Sequence, residues 1–591
     1  MTPFTTGLSQ KDNLYIGTAG FIDLDGFYFS ENGAIKKWSG FSREVNRQIM
    51  LPLPEGGAVT GLFTYKRING TREFIAMGRT GVYKQGVNGN WDTLLTGQTG
   101  TATDLYGAFV LNNQFYFGNG VDANRRYNSG NPVSFMGMTS PALPTVALDG
   151  AGFLTGGYSW RYSYVNDLNE ESNMSPASLT LNPVNQSVNV TLVGSTDPQV
   201  TKWRLYRTTI GGGVYLRVAE ITHVVAGTVY TDNNSDSVLG IEGILLQAGV
   251  PPPSKIFVVD AGRVYMVGKN SSTVHFSSRG FPAYVHPNDN RILDPFDEDI
   301  ITGGVLLSGI PVFFKNDSIW NGFGGERGDI GFTRREGGIG SSSHYGIVLI
   351  PGQGIAMFPH ETGFYSYDTV NLRLSSEQIE PIFTTKINRG LLSGVTGGWY
   401  SGMGQCAIWA FPSVSSGQND LLIVYNYTSK QWSTRKIPNT KTNLLRVIEQ
   451  DNFEVDVLYC GGYNGVVYHG DVGQADDGFD IACSLTDRMW PKGASSLTYK
   501  IVHTLTLFYD PSILPTDIPV VLLSISELPD GPFTPIGTIS LGNGSGVSAI
   551  TFNYYGHRFY WKLSESSNNM AFTLRGVDFG IRETGREALA A

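Results

Sequence analysis

KIFVVDAGRVYMVGKNSSTVHFSS, Lys255–Ser278, sets two β-branched apolar runs around Asp-Ala-Gly, then a polar turn and a third run ending at Phe276. Short apolar runs bounded by Gly, Asn and Asp read as strands, and a tight turn containing glycine joins them as an antiparallel hairpin. The pattern recurs. EFIAMGRTGVYKQGVNGNWDTLLTG (Glu73–Gly97) and YGAFVLNNQFYFGNGVDANRRYN (Tyr106–Asn128) precede it, the second with an Asn-Asn turn. GGVLLSGIPVFFKNDSIWNGFG (Gly303–Gly324), YGIVLIPGQGIAMFPHETGFYSYD (Tyr345–Asp368), the stretch from Cys406 to Ser433 and EVDVLYCGGYNGVVYHGD (Glu454–Asp471) follow it. No such unit can bury both of its faces alone, whereas units stacked around an axis can, as in the blades of a β-propeller. Counting them gives seven or eight. None carries a WD or kelch signature, so a series of β-sandwiches or a β-solenoid with the same turns stays open.

Composition agrees with an all-β chain. The 591 residues include 74 Gly, 29 Tyr, 32 Phe and 10 Trp, and only 16% are charged, against about 25% in an average soluble protein. The Ala/Leu/Glu/Lys-rich helices that an α/β nucleotide-binding fold needs are missing. Net charge is −9, which argues against tight binding of free nucleic acid by bulk attraction. Cys406, Cys460 and Cys483 form no metal-type spacing and read as buried hydrophobes. The N-terminal MTPFTTGLSQKDNLYIG lacks a signal-peptide pattern and no apolar run reaches spanning length, so synthesis in a cytoplasm is expected.

One segment breaks the rhythm. GGYSWRYSYVNDLNEESNMSPAS (Gly156–Ser178) opens about seven short strands within residues 153–240, the size of an immunoglobulin- or fibronectin-III-like sandwich. Proline-bearing seams flank it, TSPALPTV (Thr139–Val146) and GVPPPSK (Gly249–Lys255), and are expected to hold an insert at a fixed attitude. The expected division is residues 1–150 and 249–471 for the propeller, 151–248 for the inserted sandwich and 472–591 for a C-terminal β-sandwich, with the tail RETGREALAA ordering only against a neighbour.

A search for chemistry yields no assigned catalytic, cofactor-binding or metal residue. There is no zinc-protease, phosphate-loop or nucleophile-elbow motif. The histidines, His223, His275, His286, His344, His360, His469, His503 and His557, have no metal-ligand spacing and read as loop or polar residues. The acidic run DPFDEDI (Asp294–Ile300), with Asp294, Asp297, Glu298 and Asp299, is weighed as a calcium loop, a glycosidase carboxylate patch or a solvated loop, the last being simplest. TDNNSDS (Thr231–Ser237) reads as a turn closing the insert, and Arg327-Gly328-Asp329 as a chance tripeptide. Lys36-Lys37, Arg125-Arg126 and Arg334-Arg335 read as ordinary surface pairs, with phosphate contact in an oligomeric pore as the alternative, and lack the aromatic interleaving of a single-strand groove.

Four of these pieces together resemble the tail nozzle, or tail hub and packaged-DNA stabilisation, proteins of short-tailed bacteriophages. GFYFSENGAIKKWSGF (Gly26–Phe41) resembles that family's opening, although its basic turn is reduced to Lys36-Lys37-Trp38. WRYSYVNDLNEESNMSPAS with TKWRLYRTTIGGGVYLRVAEI and YTDNNSDSVLG resembles its inserted sandwich. Val250–Pro287 resembles the re-entry into the propeller, and FTLRGVDFGIRETGR its closing strands. The polar stretch Asn288–Asp299 is longer than the family pattern. The resemblance implies a homo-hexamer that continues the portal and adaptor channel in the virion tail, retains packaged double-stranded DNA and lets it pass at ejection. It also implies adaptor, fibre or spike partners, transient host-envelope contact, no cofactor and no catalysis. A carbohydrate- or receptor-binding propeller, and a propeller glycan hydrolase or lyase, remain the competing readings, because propellers host all three.

Overall fold

The computed structural model describes residues 2–3, 21–30, 33–45, 48–243, 250–449, 456–489, 500–510, 518–542, 544–556, 559–565 and 570–583. Among them, seven antiparallel sheets follow one another around an axis. Blade 1 begins at its inner strand Gly61–Lys66, blade 2 at Gly107–Leu111, blade 3 at Ile256–Asp260 and blade 4 at Ile301–Leu307. Blades 5, 6 and 7 begin at Val348–Ile350, Thr396–Tyr400 and Thr442–Glu449.

Period-two alternation explains the ring. In the second strand of blade 2, Phe115 and Phe117 pack toward blade 1 while Tyr116 packs toward blade 3. The second strand of blade 3 divides likewise, with Val264 and Met266 on one side and Tyr265 and Val267 on the other. Successive Cβ atoms point to opposite faces of a strand, so a strand buried on both faces must read as an unbroken apolar run. Those are the runs FYF and VYMV in the sequence. In the last interface Leu444, Val457 and Tyr459 of blade 7 meet Leu62, Phe74 and Trp91 of blade 1, which closes the circle.

The tight turns are set by local chemistry. Ala261 and Gly262 both hold positive φ, 45° and 78°, between strands paired Asp260 to Arg263. Asn112-Asn113 do the same in blade 2. Two consecutive positive φ values match the right-handed twist of a two-residue hairpin, and Gly and Asn reach them with least strain.

Closure does not follow the expected division. The fourth strand of blade 7 is Phe41–Ser42, paired to Val467–Gly470 from the other end of the chain. Before it, Asp23–Asp25, Phe27–Phe29 and Ile35–Lys37 lie in the C-terminal sandwich rather than in the propeller. Conversely Ala475–Asp476 and Phe479–Asp480 extend the blade 7 sheet. The boundaries at residues 1 and 472 are corrected accordingly: pairing partners hundreds of residues apart left no local signal.

The inserted sandwich consists of two three-stranded sheets, one ordered Thr145–Thr155, Val184–Leu192, Thr228–Asp232 and the other Trp160–Asn166, Val200–Thr208, Tyr215–Thr222. That is six strands among the described residues, where about seven were expected. Trp160, Tyr162, Val190, Trp203 and Leu205 fill the space between the sheets. The polar stretch after them has its own regularity. Ser172, Ser175 and Ser178 donate backbone N–H groups to the carbonyls of Tyr164, Tyr162 and Trp160, and their hydroxyls accept from the N–H groups of the same three residues. A spacing of three is the polyproline-II repeat, so this strap satisfies the open edge of Trp160–Asn166 without being a strand.

The C-terminal sandwich is fused to blade 6. Asp23–Asp25 pairs in parallel with Gln431–Lys436 and antiparallel with Cys483–Met489, joining both into one nine-stranded sheet. Its second sheet contains Thr573–Glu583, Lys500–Tyr509 and Val547–Gly556. The tail beyond 583, Gly249 of the second seam and His557 lie outside the described residues. No helix among the described residues is long and apolar enough to cross a membrane.

Candidate functional site

The side chains that converge on the propeller axis come from the segments leading into the inner strands. Tyr345, just before blade 5, donates its hydroxyl to the Tyr106 carbonyl, just before blade 2. That bond spans the axis, and the half-buried Arg446 adds to the plug: its guanidinium lies 5.1 Å from the Tyr345 ring centroid and 5.2 Å from that of Phe63. The centre of the propeller is therefore filled by side chains.

Beside this plug, on the face where the inner strands begin, lies a cavity of about 210 Å³ lined by Asp104, Lys255, Lys269, Thr302, His344 and Tyr345, among others. Thr103, Asn270 and Ser393 at its rim are exposed. Asp104 is held rigidly: Lys269 Nζ lies 2.5 Å from Oδ1, and Thr101 donates its N–H and hydroxyl to Oδ2 at 2.9 and 2.7 Å. Against the upward push of burial, these hydrogen bonds keep its carboxyl below the usual range. Lys255 makes no ion pair and no side-chain hydrogen bond among the described residues. Burial pushes its amine below the usual lysine range; Asp104 opposes that and Lys269 adds to it. His344 is depressed to about 3 by burial, then by Arg446 and Lys255, so it is a neutral imidazole. Burial also raises the Tyr345 phenol to about 12, which keeps it a hydrogen-bond donor.

None of the residues singled out from sequence as acidic or basic clusters meets at this cavity. In the acidic run, both oxygens of Asp297 accept from the fully buried Lys315, at 2.6 and 2.8 Å. Asp299 accepts from Asn316 Nδ2 at 2.7 Å, and Asp294 stands 3.8 Å from Arg334. Those carboxylates fasten blade 4 and cap its turn. Among the basic pairs, Lys37 is buried against Glu565 and Arg126 is buried against the insert, 2.9 Å from Asp167 and 3.7 Å from Glu170. Arg125 stacks on Phe135 and Lys36 on Tyr28. In TDNNSDS, Asp232 and Asp236 clamp Arg207 at 3.0 and 2.7 Å, with Trp160 Nε1 donating to Asp232. Arg327 pairs with Asp289. His223 accepts from the Ser195 N–H, and His360 lies 3.8 Å from Asp317. Cys406, Cys460 and Cys483 are buried free thiols. Among the described residues no three His, Cys, Asp or Glu side chains group as a metal site.

The axial residues were missed because they are scattered from 104 to 446 and form no motif. Their common signal is position: Asp104, Lys255, Thr302 and His344 each stand within a few residues of an inner strand's start.

The insert meets the propeller through polar contacts. Besides Arg126, the Tyr284 hydroxyl accepts from the Glu171 N–H at 2.5 Å, and Gln199 Nε2 donates to the carbonyls of Phe135 and Gly137 at 3.0 Å each.

No protein-family model matches the chain, and no curated protein matches it. Solved structures similar to it include PorZ, a surface component of the type-IX secretion system of Porphyromonas gingivalis, with 10% identity over 92% of this chain and 82% of that one and a TM-score of 0.26. A gluconolactonase of Xanthomonas campestris aligns at 9% identity over 80% of this chain and 98% of its own, TM-score 0.22. AztD of Citrobacter koseri aligns at 10% identity over 67% and 98%, TM-score 0.23. Scores at this level carry no inference about activity.

Proposed function

We propose that this chain is a structural tail component of a short-tailed bacteriophage, a nozzle whose six copies form a ring continuing the portal and adaptor channel, and that it is not an enzyme. The observation that carries the reading is the order of parts: one propeller, one sandwich inserted after its second blade and pinned by Arg126, Tyr284 and Gln199, and a second sandwich built from both chain ends. The stretches that resemble the nozzle family fall at those junctions.

The filled axis decides where the conduit lies in this reading. With Tyr345 bonded across to Tyr106, a duplex has no path through one propeller, so double-stranded DNA passes between copies around a shared axis. Burial of Lys37 and Arg126 removes two of the candidate phosphate contacts from any such wall. Together with the net charge of −9, this favours a wall without a dense array of phosphate contacts, past which DNA slides with little retention. The insert, held at fixed attitude, is the part offered to an adaptor, a fibre or the adjacent copy. A closed ring requires two different complementary surfaces on each copy. Mass measurement of concentrated protein with its portal-side partner tests this: six copies are expected, and a persistent monomer overturns it. The axial cavity is the observation that keeps a carbohydrate-binding reading as the alternative, with the chain in the virion tail in either case.

A further inference from the structure

The axial cavity has features that the nozzle reading does not use. A net-acidic chain gathers cations there. Lys255 lines the cavity without an anionic partner, Lys269 is held at its edge by Asp104, and Arg446 lies behind Tyr345 with a buried Nε that has no hydrogen-bond acceptor. Lys255 is half-buried, and burial already disfavours its charged form, so an anion entering the cavity would meet a partly desolvated ammonium. Fixed polar groups aimed at one point in a concave site are the usual mark of a binding site.

We infer that this cavity binds one sugar-acid unit, a hydroxylated monocarboxylate whose carboxylate pairs with Lys255.

Size, charge and lining each narrow the occupant. At ~30 Å³ per water, 210 Å³ holds about seven waters, which suits a single hexose-sized ring and no longer chain. One unpartnered cation balances one negative charge. A phosphate dianion would set its second charge against Asp104, and such groups are usually held by several cations or backbone N–H donors. Ser342, Ser393 and Asn270 supply hydroxyl and amide groups for sugar hydroxyls, the Thr302 and Ser343 hydroxyls being already bonded to backbone carbonyls, while Tyr345 supplies an apolar wall for a ring face. His344, neutral throughout the physiological range, offers imidazole hydrogen bonding without adding charge. The depressed Lys255 amine is consistent with a site that regains the full ammonium when an anion enters.

Calorimetric titration of the full chain with sodium glucuronate, glucuronamide, glucose and glucose 6-phosphate is the test. Glucuronate is expected to bind saturably and to raise the unfolding midpoint. Glucuronamide, which differs only in the carboxylate, and glucose should bind at least tenfold more weakly, and glucose 6-phosphate should not exceed glucuronate. Lys255→Gln should lose at least tenfold for glucuronate while its ligand-free unfolding stays cooperative with a midpoint no lower than before, and Lys255→Arg should recover part of it. Equal binding of glucuronate and glucuronamide, tighter binding of glucose 6-phosphate, or no saturable binding of glucuronate overturns the inference. The glucuronamide arm decides the matter even if a Lys255 variant misfolds, and none of these outcomes bears on the copy number of the ring.

Discussion

The two sandwiches are attached to the propeller in opposite ways. The C-terminal one shares a sheet with blade 6 and a single apolar cluster in which Trp409, Phe364 and Trp432 of the propeller continue into Leu485, Leu505, Trp561 and Leu574. The inserted one has its own closed core and touches the propeller through an arginine, a tyrosine hydroxyl and a glutamine amide. Apolar continuity makes two bodies fold and move as one, whereas a polar seam between separately filled cores resembles a protein–protein contact.

The largest expected effect tests the fusion. Glu565→Ala removes the carboxylate that faces the Lys37 ammonium in the sandwich core, where both side chains are almost fully buried. Removing one partner of such a pair costs about 3–5 kcal/mol, and calorimetry should show propeller and C-terminal sandwich weakened in one shared transition. Two separate transitions would show that the common sheet does not couple them.

Asp297→Ala comes next, since it leaves the buried Lys315 without its carboxylate. A loss of about 2–3 kcal/mol is expected, while Asp294→Ala, whose partner Arg334 is half-exposed, and Glu298→Ala each cost less, about 1 kcal/mol or under. Equal effects at all three positions would refute the structural role assigned to that acidic run.

A pH titration probes the fused seam from another side. Burial lifts the Asp25 carboxyl to about 6, with Asp23 adding to the shift, and lifts Asp487 to about 7. Both groups stay protonated in the folded chain over a range where the unfolded chain has released the proton. Their contribution is thus full below the unfolded carboxylate range near 3.8 and is lost as pH rises through 6 to 7. Chemical denaturation should find this part less stable at pH 8 than at pH 5 by on the order of 2 kcal/mol per group, and Asp25→Asn with Asp487→Asn should flatten the profile. A profile unchanged by those substitutions would remove these two carboxyls as its cause.

The smallest expected effect is at the docked seam. Because Asp167 is half-exposed, Arg126→Ala is expected to cost about 1–2 kcal/mol of docking and to leave the midpoints of both bodies unchanged. Spin-label distances between the insert and blade 3 should broaden while those within the insert stay sharp. Broadening within the insert would mean that the seam helps to hold its core.

Legibility in the sequence followed locality. The middle strands of the blades announce themselves because two buried faces force FYF, VYMV and AIWAF into unbroken apolar runs. Asp260-Ala261-Gly262 announces its turn because the two positive φ values suit few residues. Phe41–Ser42 was invisible, since a two-residue strand has no periodicity and its partner is His469-Gly470. Lys37 was read as a surface charge, because nothing near it in sequence foretells Glu565. The cavity was hidden for the same reason: Asp104, Lys255 and His344 meet only when three blades are in place.

Imaging the protein in its native particle tests the account most directly. The proposed nozzle role requires six copies around the tail axis, each propeller's own axis displaced from it and closed by Tyr345 and Tyr106, with DNA density running between the copies. One copy at the centre, a peripheral position away from the channel, or DNA density through a single propeller would contradict it.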